Sequence, residues 1–303
     1  MFWFSRLSNI RNRILEGKKI TNITQEYYVE KVGEGEPVLF LPAAGFAGNE
    51  GLNIAVHMKE NFETHMIDLP GLGKSKGLEG RVTSKSLANW VKTYMDQCEI
   101  DSVSLIGHSL GGAVLLAFAV HYPERVKKLI LLDQGHKPFP RVPIAEFGSF
   151  AYVLPFLNVC VHLFGKRFLN KLTPFFTQQD EQKKDELSVE VKEFCERISI
   201  VENEYVRLAV KEAPNITEEG LSLMFGYYNL NLPKLLKSVK VKTCLVYGTF
   251  ENINEKEYRN TRKYIQKMLK YKNLPITYYP IKSGHYVHWS ESTILDVLKG
   301  FLI

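Results

Sequence analysis

The chain is poor in cysteine: its 303 residues hold four, Cys98, Cys160, Cys195 and Cys244. None stands in a C-x-x-C spacing, so neither a disulfide framework nor a thiol-rich zinc module is available, and the thiols read as reduced residues of a cytoplasmic protein. No apolar run approaches the ~20 residues of a membrane-spanning helix. Neither charge sign dominates. Lys plus Arg number 39 against 33 for Asp plus Glu, and the basic residues are scattered among acids, so nucleic-acid binding is not indicated. The first residues lack the apolar core and small-residue cleavage site of a secretory signal. Instead Arg6, Arg11, Arg13, Lys18 and Lys19 alternate with Leu7, Ile10 and Leu15. This basic amphipathic pattern suits packing on the body of the protein, or a weak contact with a membrane surface.

What is present is an alternation of short apolar runs and amphipathic stretches. Gln25 to Val32 and Val38 to Leu41 are β-rich and separated by Gly33-Glu34-Gly35-Glu36-Pro37, which reads as a hairpin entering a core strand. Strands are expected at Phe62–Ile67, Ser102–Ile106, Leu129–Leu132, Thr243–Tyr247 and Ile276–Ile281. Helices are expected at Val82–Met95, Leu110–Val120, Glu255–Leu269 and Ser292–Leu302. Continuous apolar strands alternating with helices define an α/β class, a mostly parallel sheet of about eight strands flanked by helices. Between Gln134 and Ser238 the alternation stops and the pattern is helical, with an apolar stretch from Phe147 to Phe176 that Pro155 and Pro174 divide into short helices. The mixed-charge run from Asp180 to Glu186 reads as a solvated face. The expected organisation is an N-terminal segment 1–24, a core made of 25–133 and 239–303, and a helical cap or lid, 134–238, inserted after the sixth strand.

Within this frame Gly107-His108-Ser109-Leu110-Gly111-Gly112 follows an apolar strand and opens an apolar helix. The spacing G-x-S-x-G at a strand-to-helix turn is that of a nucleophile elbow, with glycines where a side chain would collide as strand and helix close together. A serine hydroxyl attacks a carbonyl only when a base takes its proton and an acid orients that base. His285, directly after Gly284 in the loop before the final helix, is the candidate base, with His288 three residues on as the alternative. Glu251, after the strand Thr243–Tyr247, leads as the acid; Asp133, ending the preceding strand, is the alternative and Glu255 the third choice. An oxyanion needs two donors: the backbone N–H of Leu110 at the helix start and that of Ala44 in the loop Leu41-Pro42-Ala43-Ala44-Gly45-Phe46. His108 beside the nucleophile, Phe46, His136 at the lid entrance and Phe150 in the lid are candidate substrate-binding residues. The histidine spacing shows no metal site.

These motifs resemble the α/β-hydrolase fold family, in its lid-bearing esterase and lipase branch, over roughly Gln25 to Ile303. Besides the elbow, Asp68-Leu69-Pro70-Gly71-Leu72-Gly73-Lys74-Ser75 resembles the family's D-x-x-G-x-G-x-S loop, and Gly284-His285 its Gly-His. The chain departs from the family where Pro42-Ala43 replaces His-Gly and Glu251 replaces Asp. The resemblance implies a serine hydrolase without metal or organic cofactor, cleaving a small carboxylic ester or related acyl compound with an apolar moiety through an acyl-enzyme. Thioesterase, lactonase and carbon–carbon bond hydrolase use the same triad, and a ligand-binding or regulatory protein with slow turnover is the alternative outside catalysis. Ser109 in place of aspartate speaks against epoxide hydrolases and haloalkane dehalogenases.

Overall fold

The computed structural model describes residues 19–21, 26–138, 150–177 and 187–303. Eight strands form one sheet: β1 (Lys19–Thr21), β2 (Val29–Val32), β3 (Glu36–Leu41), β4 (Phe62–Ile67), β5 (Val103–His108), β6 (Val126–Leu132), β7 (Thr243–Gly248) and β8 (Ile276–Ile281). Their order is β1-β2-β4-β3-β5-β6-β7-β8. The pairs β1/β2 and β2/β4 are antiparallel; every later pair is parallel. Helices follow in chain order: α1 (Leu52–Met58), α2 (Ser84–Gln97) and α3 (Ser109–His121) in the first half; α4 (Phe150–Phe164), α5 (Lys166–Thr177), α6 (Leu187–Ile198), α7 (Glu204–Lys211), α8 (Glu218–Tyr228) and α9 (Leu232–Lys237) between β6 and β7; then α10 (Glu255–Met268), α11 (Val287–Ser290) and α12 (Thr293–Leu302).

Period-two side-chain alternation builds the two core layers. Leu39, Leu41, Leu105, Leu129, Leu131 and Leu245 point to the face covered by α2, α3 and α10, while Val38, Phe40, Ile106, Ile130, Leu132 and Val246 face α1 and α12. With both faces covered, β5 is buried along its whole length, as its unbroken apolar run requires. Helix α2 starts one residue after Thr83, whose hydroxyl accepts from the Ser86 N–H while the Ser86 side chain accepts from the Thr83 N–H, a reciprocal cap.

Three local expectations are corrected. β2 and β3 are not a hairpin: β4 lies between them, because the Gly33–Pro37 turn docks sideways on the α1–β4 connection, with the Glu34 N–H donating to the Lys59 carbonyl at 2.9 Å. Gly33 has φ +92°, and a Cβ there would lie 2.2 Å from the Phe62 carbonyl oxygen. Pro155 and Pro174 lie inside α4 and α5 and do not end them; the break falls at Gly165, at φ +55°. Lys19 belongs to β1, whereas residues 1–18 of the basic amphipathic segment, and the charged run 180–186, lie outside the described residues.

The junction of β5 with α3 depends on close backbone approach. A Cβ on Gly107 would sit 2.6 Å from the Gly112 Cα, and one on Gly111 would sit 2.3 Å from the Leu41 carbonyl oxygen. The Gly111 N–H donates to the Pro42 carbonyl at 2.9 Å, so the loop after β3 is held against this junction. Gly111→Ala is therefore expected to destabilise the fold by about 3 kcal/mol or more, since backbone on both sides must move. Gly300→Ala, at an exposed position of α12 with nothing within 4 Å of the added methyl, is expected to stabilise it by roughly 0.5–1 kcal/mol. Urea denaturation of both variants checks this, and equal midpoints would sink the packing argument.

Candidate active site

Ser109 is the first residue of α3 and has φ +47°, the left-handed region that costs a non-glycine residue of order 1–3 kcal/mol. The strain is held by the glycine contacts of the turn and by Gln134, whose side-chain amide donates to the Ser109 carbonyl at 2.7 Å and to the Tyr227 hydroxyl at 2.8 Å. The backbone N–H of Leu110 stands at the helix N-terminus. The loop carrying Ala44 is turned by Gly45 at φ +90° and tethered to the elbow through Pro42.

The carboxylate that meets His285 is Asp133. Its Oδ2 lies 2.6 Å from His285 Nδ1, and its Oδ1 accepts from the Gly248 N–H at 3.3 Å. Asp133 follows β6 with φ +48°, and its own N–H donates to the Val246 carbonyl at 2.6 Å. Burial pulls its carboxyl upward, but Lys137, the His285 hydrogen bond and the charges of His285 and His136 outweigh burial and hold the group below the usual carboxylate range.

Glu251, the leading expectation for this place, is not there: it is exposed and lies 3.5 Å from Lys282. The end of β7 presses on the base loop, where a Cβ on Gly248 would meet the Gly284 carbonyl oxygen at 2.1 Å and the Phe250 N–H donates to the Ser283 carbonyl at 3.0 Å. The chain therefore passes beneath His285 and turns Glu251 outward. Glu255 opens α10 and pairs with Arg259 at 2.6 Å. His288 is wholly buried against the His108 ring, at a centroid distance of 4.8 Å.

His108 is not a pocket wall. It is fully buried, its Nδ1 lies 2.6 Å from Glu50 Oε1 and its Nε2 3.1 Å from the His285 carbonyl oxygen. Glu50 Oε2 accepts from the Ala43 N–H at 2.5 Å. Because a carbonyl only accepts, His108 Nε2 donates to it, and one further proton is shared between Nδ1 and Glu50. One buried carboxyl–imidazole pair thus joins the loop after β3, the end of β5 and the loop after β8. Glu50, His108 and His288 bring ligating atoms within 4.8 Å of one another, but the Glu50 oxygens and His108 Nδ1 are already engaged in these hydrogen bonds. Phe46 is buried in an edge-to-face cluster with Phe194, Tyr286 and Trp289, where it fixes α6 to the core. His136 is buried beside Tyr247, 3.9 Å from Asp133 Oδ1. Phe150 opens α4, and its side chain lies outside the described residues.

The sequence reading had no signal for Glu50, which sits in no motif. Gln134 had one: it adjoins Asp133, at the first position of the insertion.

The alpha/beta hydrolase fold model matches residues 36–291, and the chain belongs to that family. It is 38% identical over 117 residues to a 2-hydroxy-6-oxononadienedioate/2-hydroxy-6-oxononatrienedioate hydrolase of Comamonas testosteroni, over 36% of this chain and 40% of that protein. A 2-hydroxy-6-oxo-6-phenylhexa-2,4-dienoate hydrolase of Burkholderia cepacia is 35% identical over the same length, with the same coverage of each chain. The match thus spans about two fifths of the length of these curated relatives. Among solved structures, E-2-(acetamidomethylene)succinate hydrolase superposes with a TM-score of 0.65 at 16% identity, over 94% of this chain and 98% of that one. Naproxen esterase of Bacillus subtilis gives 0.61 at 17%, over 99% and 97%. At these identities the likeness is one of fold.

Two outcomes follow. Glu50→Ala leaves the Ala43 N–H buried without its acceptor and His108 Nδ1 without its hydrogen-bond partner, and is expected to cost about 2–5 kcal/mol in chemical denaturation. Glu50→Gln, whose oxygen accepts from Ala43 while its amide donates to Nδ1, is expected to lose less than half of that; equal losses would contradict the bonding pattern. Secondly, burial pushes His136 down to about 3 and, with Lys31 assisting, His65 down to about 4, while burial and the neighbouring imidazoles hold His288 well below its ordinary value. The unfolded chain therefore takes up these protons first. The stability is complete above pH ~6.5 and is lost as pH falls towards 4, at roughly 1.4 kcal/mol per unit per histidine. A melting temperature that stays flat from pH 7 to 5 would refute this.

Proposed function

We propose that the protein is a serine hydrolase in which Ser109, His285 and Asp133 form the triad. The observation that carries this reading is the His285 Nδ1 to Asp133 Oδ2 hydrogen bond of 2.6 Å, formed by a buried carboxylate at the same end of the sheet as a serine in strained left-handed geometry. Asp133 fixes the tautomer in which His285 Nδ1 carries the proton, leaving Nε2 to take the Ser109 hydroxyl proton as Oγ attacks the substrate carbonyl. The N–H groups of Leu110 and Ala44 receive the oxyanion. His285 then returns the proton to the leaving group, and water, activated by the same imidazole, hydrolyses the acyl-enzyme.

The substrate class we favour is a carboxylic ester or related acyl compound with an apolar moiety. The described helices of the insertion act as its lid: Phe194 and Val191 of α6 and Val206 of α7 pack with Ala43, Phe46 and Trp289, so the apolar faces of these amphipathic helices roof the site loops. A second reading, carbon–carbon bond hydrolysis, draws on the names of the relatives matched over 117 residues, and the same triad would serve it.

A fluorophosphonate probe is expected to label the protein and not Ser109→Ala. Asp133→Asn is expected to lower kcat by about 10³–10⁴ while Glu251→Gln leaves it within a factor of about two. Full activity in Asp133→Asn would overturn the acid assignment. Turnover of a chromogenic ester series without bleaching of a 2-hydroxy-6-oxo-dienoate favours the ester reading, and the reverse pattern favours carbon–carbon cleavage.

A further inference from the structure

Helix α4 carries no Asp, Glu, Lys or Arg along its 15 residues, Phe150–Phe164. Its inner face is accounted for: Leu154, Leu157 and Val161 pack on Leu169, Leu172, Leu221 and Phe225 of α5 and α8. The opposite face is equally apolar. Tyr152, Phe156, Val159 and Leu163 follow one another at i, i+4, i+7 and i+11, so they form a single ridge, and they are 73%, 67%, 54% and 67% exposed. Helices that solvate one face normally place charge there; this one places aromatic and branched aliphatic side chains.

In the sequence that carries and follows the ridge, the charge has one sign. From Phe147 to Gln179 the sequence has no acidic residue, while Lys166 and Arg167 follow directly after Gly165, Lys171 stands one turn further along α5, and all three are exposed. At 1.5 Å per residue the helix is about 22 Å long, short of the ~30 Å hydrocarbon thickness, and none of the described helices is long and apolar enough to cross a membrane. A segment with a bare apolar ridge, aromatic residues and adjoining cations suits the plane of a lipid interface, where the ridge enters the acyl boundary and the cations meet phosphates.

We propose that α4 is an interfacial helix that docks the protein on an anionic phospholipid bilayer through Tyr152, Phe156, Val159 and Leu163, with Lys166, Arg167 and Lys171 against the headgroups. The inference rests on the surface of the insertion and is independent of the chemistry assigned to Ser109. It places the helical roof of the site at the membrane, so an apolar substrate would be drawn from the lipid phase.

Co-sedimentation of the full chain with phosphatidylcholine vesicles, with and without about one third phosphatidylglycerol, tests it. The protein is expected to bind the anionic vesicles and to bind the neutral ones more weakly. Phe156→Glu with Leu163→Glu is expected to lower partitioning at least about tenfold, and Lys166→Glu with Arg167→Glu and Lys171→Glu to remove the preference for anionic lipid. These positions are exposed, and an unchanged thermal transition confirms that each variant is folded. Three results would overturn the proposal: absence of binding by the unmodified protein, binding unaffected by either set of changes, or loss confined to a Leu7→Glu and Ile10→Glu variant, which would move the contact to the N-terminal segment. A dimer in gel filtration that Phe156→Glu dissolves, without vesicle binding, would assign the ridge to a second copy.

Discussion

The buried carboxylate of Asp133 is the constraint on which the site depends. It lies at the carboxyl end of β6, is fixed by the Gly248 N–H from the end of β7, and reaches His285 in the loop beyond β8. Three adjacent strands are thereby brought to one register at their carboxyl ends. An unpaired carboxylate in this position would carry a large desolvation cost, so the group holds its neighbours because it must be satisfied. Its left-handed backbone, like that of Ser109, is a local cost that the surrounding parallel sheet offsets.

Much of this was legible in the residues. Continuous apolar runs such as Leu129–Leu132 and Thr243–Tyr247 belong to strands covered on both faces, and the elbow announced itself because glycine is required where Gly107 meets Gly112 and Gly111 meets Leu41. The partner of β2 was not legible, since a Gly-rich turn shows that the chain reverses but not whether a later strand enters between the two arms. The carboxylate that meets His285 was misplaced for a related reason. Glu251 and Asp133 both follow sheet strands, and sequence order cannot reveal that the chain after Gly248 is pressed beneath Gly284 and turned outward. Glu50 lay beyond pattern reading altogether: its role comes from a short helical turn after β3 that directs one carboxylate inward, where its partners are a histidine 58 residues away and a backbone amide.

The Glu50–His108 pair and the Asp133–His285 pair are complementary. One fixes the backbone of the base loop through the His285 carbonyl; the other fixes the ring through Nδ1. Between them the imidazole has little freedom to turn, so its orientation is set by the fold before any ligand arrives. Such preorganisation is what makes electrostatic stabilisation effective.

The position of Asp133 immediately before the helical insertion has a consequence for modularity. Gln134, the next residue, bonds both the Ser109 carbonyl and Tyr227 of α8, so the outgoing strand is shared by the reactive centre and the roof. An exchange of roofs between members of this fold cannot be cut at the end of β6. Its upstream seam has to fall after Gln134, with a tyrosine-like hydroxyl supplied by the incoming helices, or the graft would remove a support of the strained elbow.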